Sequence, residues 1–168
     1  MPNISREITC CFTGYRPSKL QWGMDENDSR CTALKRKLYD FAEAVYLSGV
    51  RHFICGMAIG CDMLFCEAVM QLKSVYNGIT IEAAIPFPGQ ADKWPEWERR
   101  KYEYLVDCCD YITVLSKEYT DDCMRRRNRY MVEHSSVLIT VYDGKRGGTM
   151  MTVNYARKNN LEIIQIAP

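Results

Sequence analysis

Short apolar runs alternate with longer segments of helical periodicity along the whole chain. Ile8-Thr9-Cys10-Cys11-Phe12 is apolar and stops at Thr13-Gly14, which predicts a first strand. A polar loop from Tyr15 to Asn27 carries Pro17 and Gly23. Leu34, Leu38, Phe41, Ala42 and Val45 then recur at helical spacing, with Asp28 or Ser29 as N-cap and Gly49 as the C′ stop. Arg51 to Cys55 reads as a second strand, Gly56 to Gly60 as a turn, and Cys61 to Val75 as an apolar-rich helix. Ile79 to Ile85 is a third strand ended by Pro86. A loop with Pro88, Gly89 and Pro95 leads into a helix from about Trp97 to Cys108, and Tyr111 to Leu115 is a fourth strand. A basic helix spans about Asp122 to His134. Ser136 to Asp143 is a fifth strand, a helix runs to about Asn159, and Glu162 to Ile166 is the last strand.

Continuous apolar strands separated by helices are the pattern of a sheet covered on both faces. The fold class this predicts is α/β: a Rossmann-like, doubly wound, mainly parallel sheet with helices on both faces. At 168 residues the chain suits one domain over residues 1–168, with no repeat, linker or low-complexity segment.

Composition removes several classes of function. A formal net charge of +1 does not suit a dedicated nucleic-acid binder, so nucleic acid is not the expected partner. No apolar run approaches the roughly 18 residues that span a bilayer. The first residues lack the zones of a signal peptide, so the expected compartment is the cytoplasm. Nine cysteines are present, an odd number with no C-x-x-C, mostly inside apolar segments; they read as reduced, structural thiols. His52 and His134 are the only histidines, which rules out a multi-histidine zinc motif, and no metal is expected.

The chemistry gathers in turns that follow strands, where ligands bind in such sheets. After the fifth strand, Gly147-Gly148-Thr149 opens a helix. Consecutive glycines there leave amide groups uncovered at the positive end of a helix dipole, a place for a phosphate. After the first strand, Thr13-Gly14-Tyr15-Arg16-Pro17 offers a close-approach glycine, a guanidinium and an aromatic ring. After the second, Gly56-Met57-Ala58-Ile59-Gly60-Cys61-Asp62 is neither G-x-G-x-x-G nor a P-loop, although Gly60 opens a helix. Asp62 can hold ribose hydroxyls or simply complement that helix terminus. Three such turns on one sheet would define a nucleotide-sized cleft. Glu67 points to solvent or to a neighbouring helix. In Arg125-Arg126-Arg127-Asn128-Arg129, Arg127 shares a helical stripe with Tyr130, Met131 and His134, so it should face inward. A buried guanidinium needs an anionic partner, which a bound phosphate or carboxylate, Asp62 or Asp143 could supply. Trp94 and Trp97 read either as walls of a base slot or as core and interface residues.

Taken in order, Phe12-Thr13-Gly14-Tyr15-Arg16-Pro17, Gly56 to Asp62 with Glu67, Arg127-Asn128-Arg129, and Tyr142-Asp143-Gly144 leading to Gly147-Gly148-Thr149 resemble the SLOG superfamily. Within it they resemble uncharacterised bacterial and phage proteins related to YpsA and YoqJ. The resemblance covers nearly the whole chain and implies a Rossmann-like fold that binds nucleotides or nucleotide derivatives at the strand ends. The Gly56–Asp62 turn and Arg127-Asn128-Arg129 look like counterparts in the DNA-processing protein DprA, which loads single-stranded DNA. The glycine turn resembles that of the LONELY GUY phosphoribohydrolases. Those hydrolases carry a glutamate three residues after the Gly-Thr pair. Here Thr152 stands there, and a second register arrives at Tyr155; neither is a carboxylate base. The phosphate cradle survives that substitution.

The expected function is therefore binding or sensing of a phosphate-bearing nucleotide derivative. Its ligand residues would be Thr13, Gly14, Arg16, Gly56, Gly60, Asp62, Arg127, Asn128, Asp143, Gly147, Gly148 and Thr149. A bound nucleotide or nucleotide-sugar is the cofactor this allows. The alternative is an N-glycosidic hydrolase in which Asp62, Glu67 or Asp143 replaces the missing glutamate, and whether the chain is an enzyme stays open. Single-stranded DNA binding ranks last, and a homodimer is compatible with each reading.

Overall fold

The computed structural model describes residues 1–168. Its strands are β1 (Thr9–Gly14), β2 (His52–Cys55), β3 (Thr80–Ile85), β4 (Tyr111–Val114), β5 (Val137–Val141) and β6 (Glu162–Ile166). Its helices are α1 (Ser29–Leu47), α2 (Cys61–Val75), α3 (Glu96–Asp107), α4 (Cys123–Glu133) and α5 (Gly148–Lys158). A short 3-10 turn, Pro17–Lys19, interrupts the first loop. No helix is long and apolar enough to cross a membrane.

All six strands form one sheet in the order β4-β3-β2-β1-β5-β6, and every neighbouring pair is parallel. This is the α/β, Rossmann-like architecture that the alternating pattern predicts. The chain steps outward from β1 to β4, then returns to lay β5 beside β1. Right-handed crossovers in opposite directions place α1–α3 on one face and α4 and α5 on the other. Accordingly α1 packs on α2, α2 on α3, and α4 on α5.

Asp28 caps α1 by accepting from the amide of Arg30 at 2.8 Å. The helix then buries Cys31, Leu34, Leu38, Ala42 and Val45. Between sheet and helix, Phe12 of β1 stacks on Phe65 of α2, their ring centroids 4.5 Å apart. Six of the cysteines, Cys10, Cys11, Cys55, Cys61, Cys66 and Cys123, are wholly buried free thiols, and burial pushes the Cys11 thiol up to about 12.

Two sequence expectations are modified. The segment from Tyr15 to Asn27 is not simply a polar loop, since Leu20 and Trp22 are buried in the core. Strand β4, apolar in sequence, leaves Tyr111, Ile112 and Val114 partly exposed, because it lies at the edge of the sheet.

Strand order also decides where the chemistry meets. The three glycine-bearing turns follow β2, β1 and β5, which are adjacent, and the order reverses between β1 and β5. That is the crevice where doubly wound sheets take ligands.

Candidate functional site

A cleft of about 210 Å³ opens over the carboxyl ends of β1 and β5. The β1 end and its turn contribute Thr13, Gly14, Tyr15 and Arg16, followed by Ser18 and Lys19. Ala58 and Asp62 come from the α2 side, Met124, Arg127 and Asn128 from α4, and Gly148 and Thr149 from α5.

Helix α5 supplies the donors. Gly147 is its N-cap and offers no side-chain hydrogen bond, and the first intrahelical bond runs from the Met151 amide to the Gly147 carbonyl at 3.2 Å. The amides of Gly148, Thr149 and Met150 therefore have no partner within the helix. A Cβ on Gly148 would meet nothing within 4 Å, so the space above this terminus is open. Gly147 is needed for another reason: its φ of +153° is one that residues with a side chain rarely adopt, and beside it Lys19 Nζ donates to the Arg146 carbonyl at 2.9 Å.

Helix α4 supplies the buried cation. Arg127 is only 3% exposed, as the helical stripe predicts, while Arg125, Arg126 and Arg129 lie on the surface. Its Nη1 donates to the Gly56 carbonyl, and its Nε donates to Asn128 Oδ1 at 2.8 Å. Nη2 has only the Met124 sulfur, at 3.9 Å. A cationic donor in the cleft wall is thus left without an oxygen acceptor. Burial lowers the Arg127 pKa, and nearby Asp62 counters this.

Asp62 is the neighbouring anion; of the partners the sequence left open for Arg127, it is the carboxylate at hand. A Cβ on Gly56 would lie 2.7 Å from Arg127 Nη1 and 2.8 Å from Asp62 Oδ2, so only glycine fits between them. Asp62 Oδ2 accepts from the Ala58 amide at 3.2 Å. Burial raises its pKa, and the attraction of Arg127 offsets only part of that. Gln90 completes the brace by donating to the Met57 carbonyl at 3.0 Å. Held this way, Met57 is buried with φ +58°, a left-handed conformation that L residues with a side chain rarely adopt.

Tyr15 joins the two strands at the crevice. Its hydroxyl donates to Asp143 Oδ1, and Lys19 Nζ sits 5.1 Å from its ring centroid. Lys145 pairs with the other carboxylate oxygen of Asp143 at 3.0 Å. The Tyr15 and Lys145 hydrogen bonds hold the Asp143 carboxyl down at about 2.

The predicted residues thus divide. Thr13, Gly14, Arg16, Asp62, Arg127, Asn128, Gly148 and Thr149 line the cleft, while Gly56, Gly60, Gly147 and Asp143 shape its wall from behind. Gly60 fits because a Cβ would come within 2.9 Å of the Tyr15 carbonyl. Glu67 stands apart from the cleft, its carboxylate 2.6 Å from Lys101 of α3. Trp94 packs edge-on against Tyr102 and Trp97 is 72% exposed, so neither walls the cleft. Of the three carboxylates that could replace the missing glutamate, Asp62, Glu67 and Asp143, only Asp62 is in the lining. No three His, Cys, Asp or Glu side chains converge to hold a metal ion.

Sequence reasoning missed Ser18, Lys19 and Met124 in the lining, and Gln90 behind it. It also missed a buried polar network under α4. Glu82 of β3 bonds His52 Nε2 at 2.8 Å and accepts from Thr113 and Tyr130, each at 2.6 Å; His52 Nδ1 bonds Thr80 at 2.8 Å. One signal was present: Glu82 is the only charge in an otherwise apolar strand.

Comparison with known proteins bears on this geometry. The family model described as the YspA SLOG family (YpsA) matches residues 10–168. An uncharacterized SPbeta prophage-derived protein, YoqJ of Bacillus subtilis (strain 168), is 30% identical over 141 residues, covering 76% of this chain and 82% of the relative. A UPF0398 protein of Bacillus thuringiensis (strain Al Hakam) is 28% identical over 158 residues, covering 90% and 83%. Among solved structures, DNA processing protein A from Helicobacter pylori, described by its single-stranded DNA binding mode, superposes with a TM-score of 0.64 at 14% identity. That match covers 96% of this chain and 66% of the other. It corrects one expectation. Near-zero net charge disfavours nucleic acid as a partner, yet a protein of this fold is described as binding it. Net charge averages over local patches, and here three arginines are exposed along α4.

Proposed function

The chain belongs to the YspA SLOG family, and we propose that its cleft binds the phosphate of a nucleotide-derived ligand, residues 1–168 forming one ligand-binding domain. The observation that carries this reading is the meeting of a buried, under-used guanidinium with an open helix terminus. The Arg127 Nη2 edge and the free amides of Gly148 and Thr149 line the same small space. An anion there would gain hydrogen bonds from both and would relieve the cost of burying Arg127. Exposed Arg16 adds a second positive charge at the mouth. Asp62, buried and turned toward the same space, suits a ribose hydroxyl. Binding is favoured over hydrolysis because two carboxylates do not flank the space, and Thr152 stands where the related hydrolases have glutamate.

A second reading is that the phosphate belongs to single-stranded DNA. The fold shared with DNA processing protein A favours it, as do the exposed arginines of α4. Such binding would weaken steeply with salt, whereas one buried phosphate would give a shallow dependence.

The test is a thermal-shift panel of nucleotides and a single-stranded oligonucleotide on wild type, Arg16→Ala and Arg127→Ala, followed by chromatography of the mixtures. At 100 times its dissociation constant a ligand stabilises by about 2.7 kcal/mol, a shift of several degrees. A nucleotide-dependent shift that both variants reduce, with the nucleotide intact afterwards, is the expected result. Release of free base would replace binding with hydrolysis, and no shift with any probe would sink the reading.

A further inference from the structure

The cleft is too small for the ligand it is suited to hold. Its volume of about 210 Å³ falls below the roughly 300 Å³ at which pockets for whole organic ligands begin. A phosphate and its sugar fit; a base does not. The rest of the ligand must leave the cleft, and one wall opens onto further space. Met124, Asn128 and Gly148 line both the cleft and a groove of about 640 Å³ between α4 and α5.

The chemistry of that groove matches the remainder of a nucleotide. Arg125 and Arg129 of α4 and Lys158 of α5 line it, and none of the three makes a salt bridge. Asp121 and Asp122, its only acids, precede α4 and leave the rest of the groove to the cations. Arg129 lies over the ring of Tyr155, 5.2 Å from its centroid, and the Tyr155 hydroxyl is tied to Glu133 at 2.6 Å. A guanidinium beside an anchored aromatic ring offers two groups on which a base can stack. Length points the same way. Lys158 stands ten residues along α5 from Gly148, about 15 Å at the helical rise, farther than one nucleotide reaches.

We propose that the α4–α5 groove is a second subsite, which stacks a nucleobase on Arg129 and Tyr155 and holds a second phosphate near Lys158. The ligand is then a nucleotide with at least two phosphate-bearing units, linked either by pyrophosphate or by a phosphodiester. This rests on the cleft holding the first phosphate.

Titration calorimetry with ribose 5-phosphate, ADP-ribose and a ten-residue deoxyadenosine strand tests it on wild type, Arg129→Ala, Tyr155→Ala and Arg127→Ala. Expected is a gain of tenfold or more over ribose 5-phosphate for ADP-ribose or for the strand. Arg129→Ala and Tyr155→Ala should erase that gain while ribose 5-phosphate, which has no base, binds them as it binds wild type. A gain with ADP-ribose identifies a free pyrophosphate-linked ligand, and a gain with the strand identifies a nucleic acid; either supports the subsite. Ribose 5-phosphate binding as tightly as both extended probes, or a gain that survives both groove variants, overturns it. Failure of the cleft reading is separately visible as ribose 5-phosphate binding unchanged in Arg127→Ala, or as no binding of any probe, which removes both proposals.

Discussion

Asp62 and Arg127 occupy the two sides of Gly56 yet make their hydrogen bonds elsewhere, the carboxylate with the Ala58 amide and the guanidinium with the Gly56 carbonyl. Opposite charges are thus held apart by backbone, and both stay turned to the cleft. A methyl group inserted between them has nowhere to go, since both side chains are buried. Gly56→Ala should cost about 1–3 kcal/mol in urea unfolding and should weaken nucleotide binding. Wild-type stability in that variant would mean the contact is looser than described.

Gly148→Ala makes the opposite prediction. Its Cβ meets no protein atom within 4 Å, and alanine is the better helix former by up to about 1 kcal/mol. The melting temperature should hold or rise while phosphate-dependent binding falls, because the new methyl occupies the space above the free amides. Unchanged affinity would remove the α5 terminus from the site.

Asp62 has a raised pKa from burial, and the sign of its effect follows. Below the ordinary carboxylate pKa it is protonated in both folded and unfolded states and has no pH-linked cost. As pH rises toward the folded-state value, the unfolded chain ionises first and the native state loses ground. Asp62→Asn should therefore look more favourable at pH 7 than at pH 3, as compared by urea unfolding. The reverse trend would show that Arg127 outweighs burial.

Glu82 behaves oppositely. Burial alone would raise its pKa, but hydrogen bonds from His52, Thr113 and Tyr130 outweigh that and lower it. Its stabilisation is complete above its ordinary value near 4.5 and is lost as pH falls through the lower folded value. Glu82→Gln should cost about 3 kcal/mol at neutral pH and should flatten the loss of stability below that point. Equal acid sensitivity in both proteins would assign the effect to other carboxylates.

The Asp143 carboxyl, held at about 2, should titrate nearer 4 in Tyr15→Phe when followed by carbon-detected NMR. No movement would leave Lys145 as the cause of the depression.

Much of this is legible in the sequence alone. β6 spans the residues that its apolar run predicts, and α4 turns Arg127 inward with Tyr130 and Met131 on the stripe that period 3.6 defines. Local periodicity reports which face is buried, but not what it meets. That Arg127 finds the Gly56 carbonyl depends on β5 returning beside β1, a relation 71 residues apart in the chain. Lys19 likewise reads as a solvated loop residue until the turn of Arg146 and Gly147 arrives beneath it. Glu67, read from the sequence as facing solvent or a neighbouring helix, lies on the flank of α2 facing α3, which leaves it out of the catalytic alternative.

The turn at residues 56–58 is gripped by Asp62 from α2, by Arg127 from α4 and by Gln90 from the loop after β3. Helices α2 and α4 cover opposite faces of the sheet, so at this one place the two helical layers touch the same few backbone atoms around the sheet's end. In kinetic terms the wall of the cleft is already assembled when a ligand arrives. Association need not wait for a loop to order, and little entropy remains to be lost there. Whatever selectivity the protein shows should then be expressed in how slowly a well-matched ligand leaves.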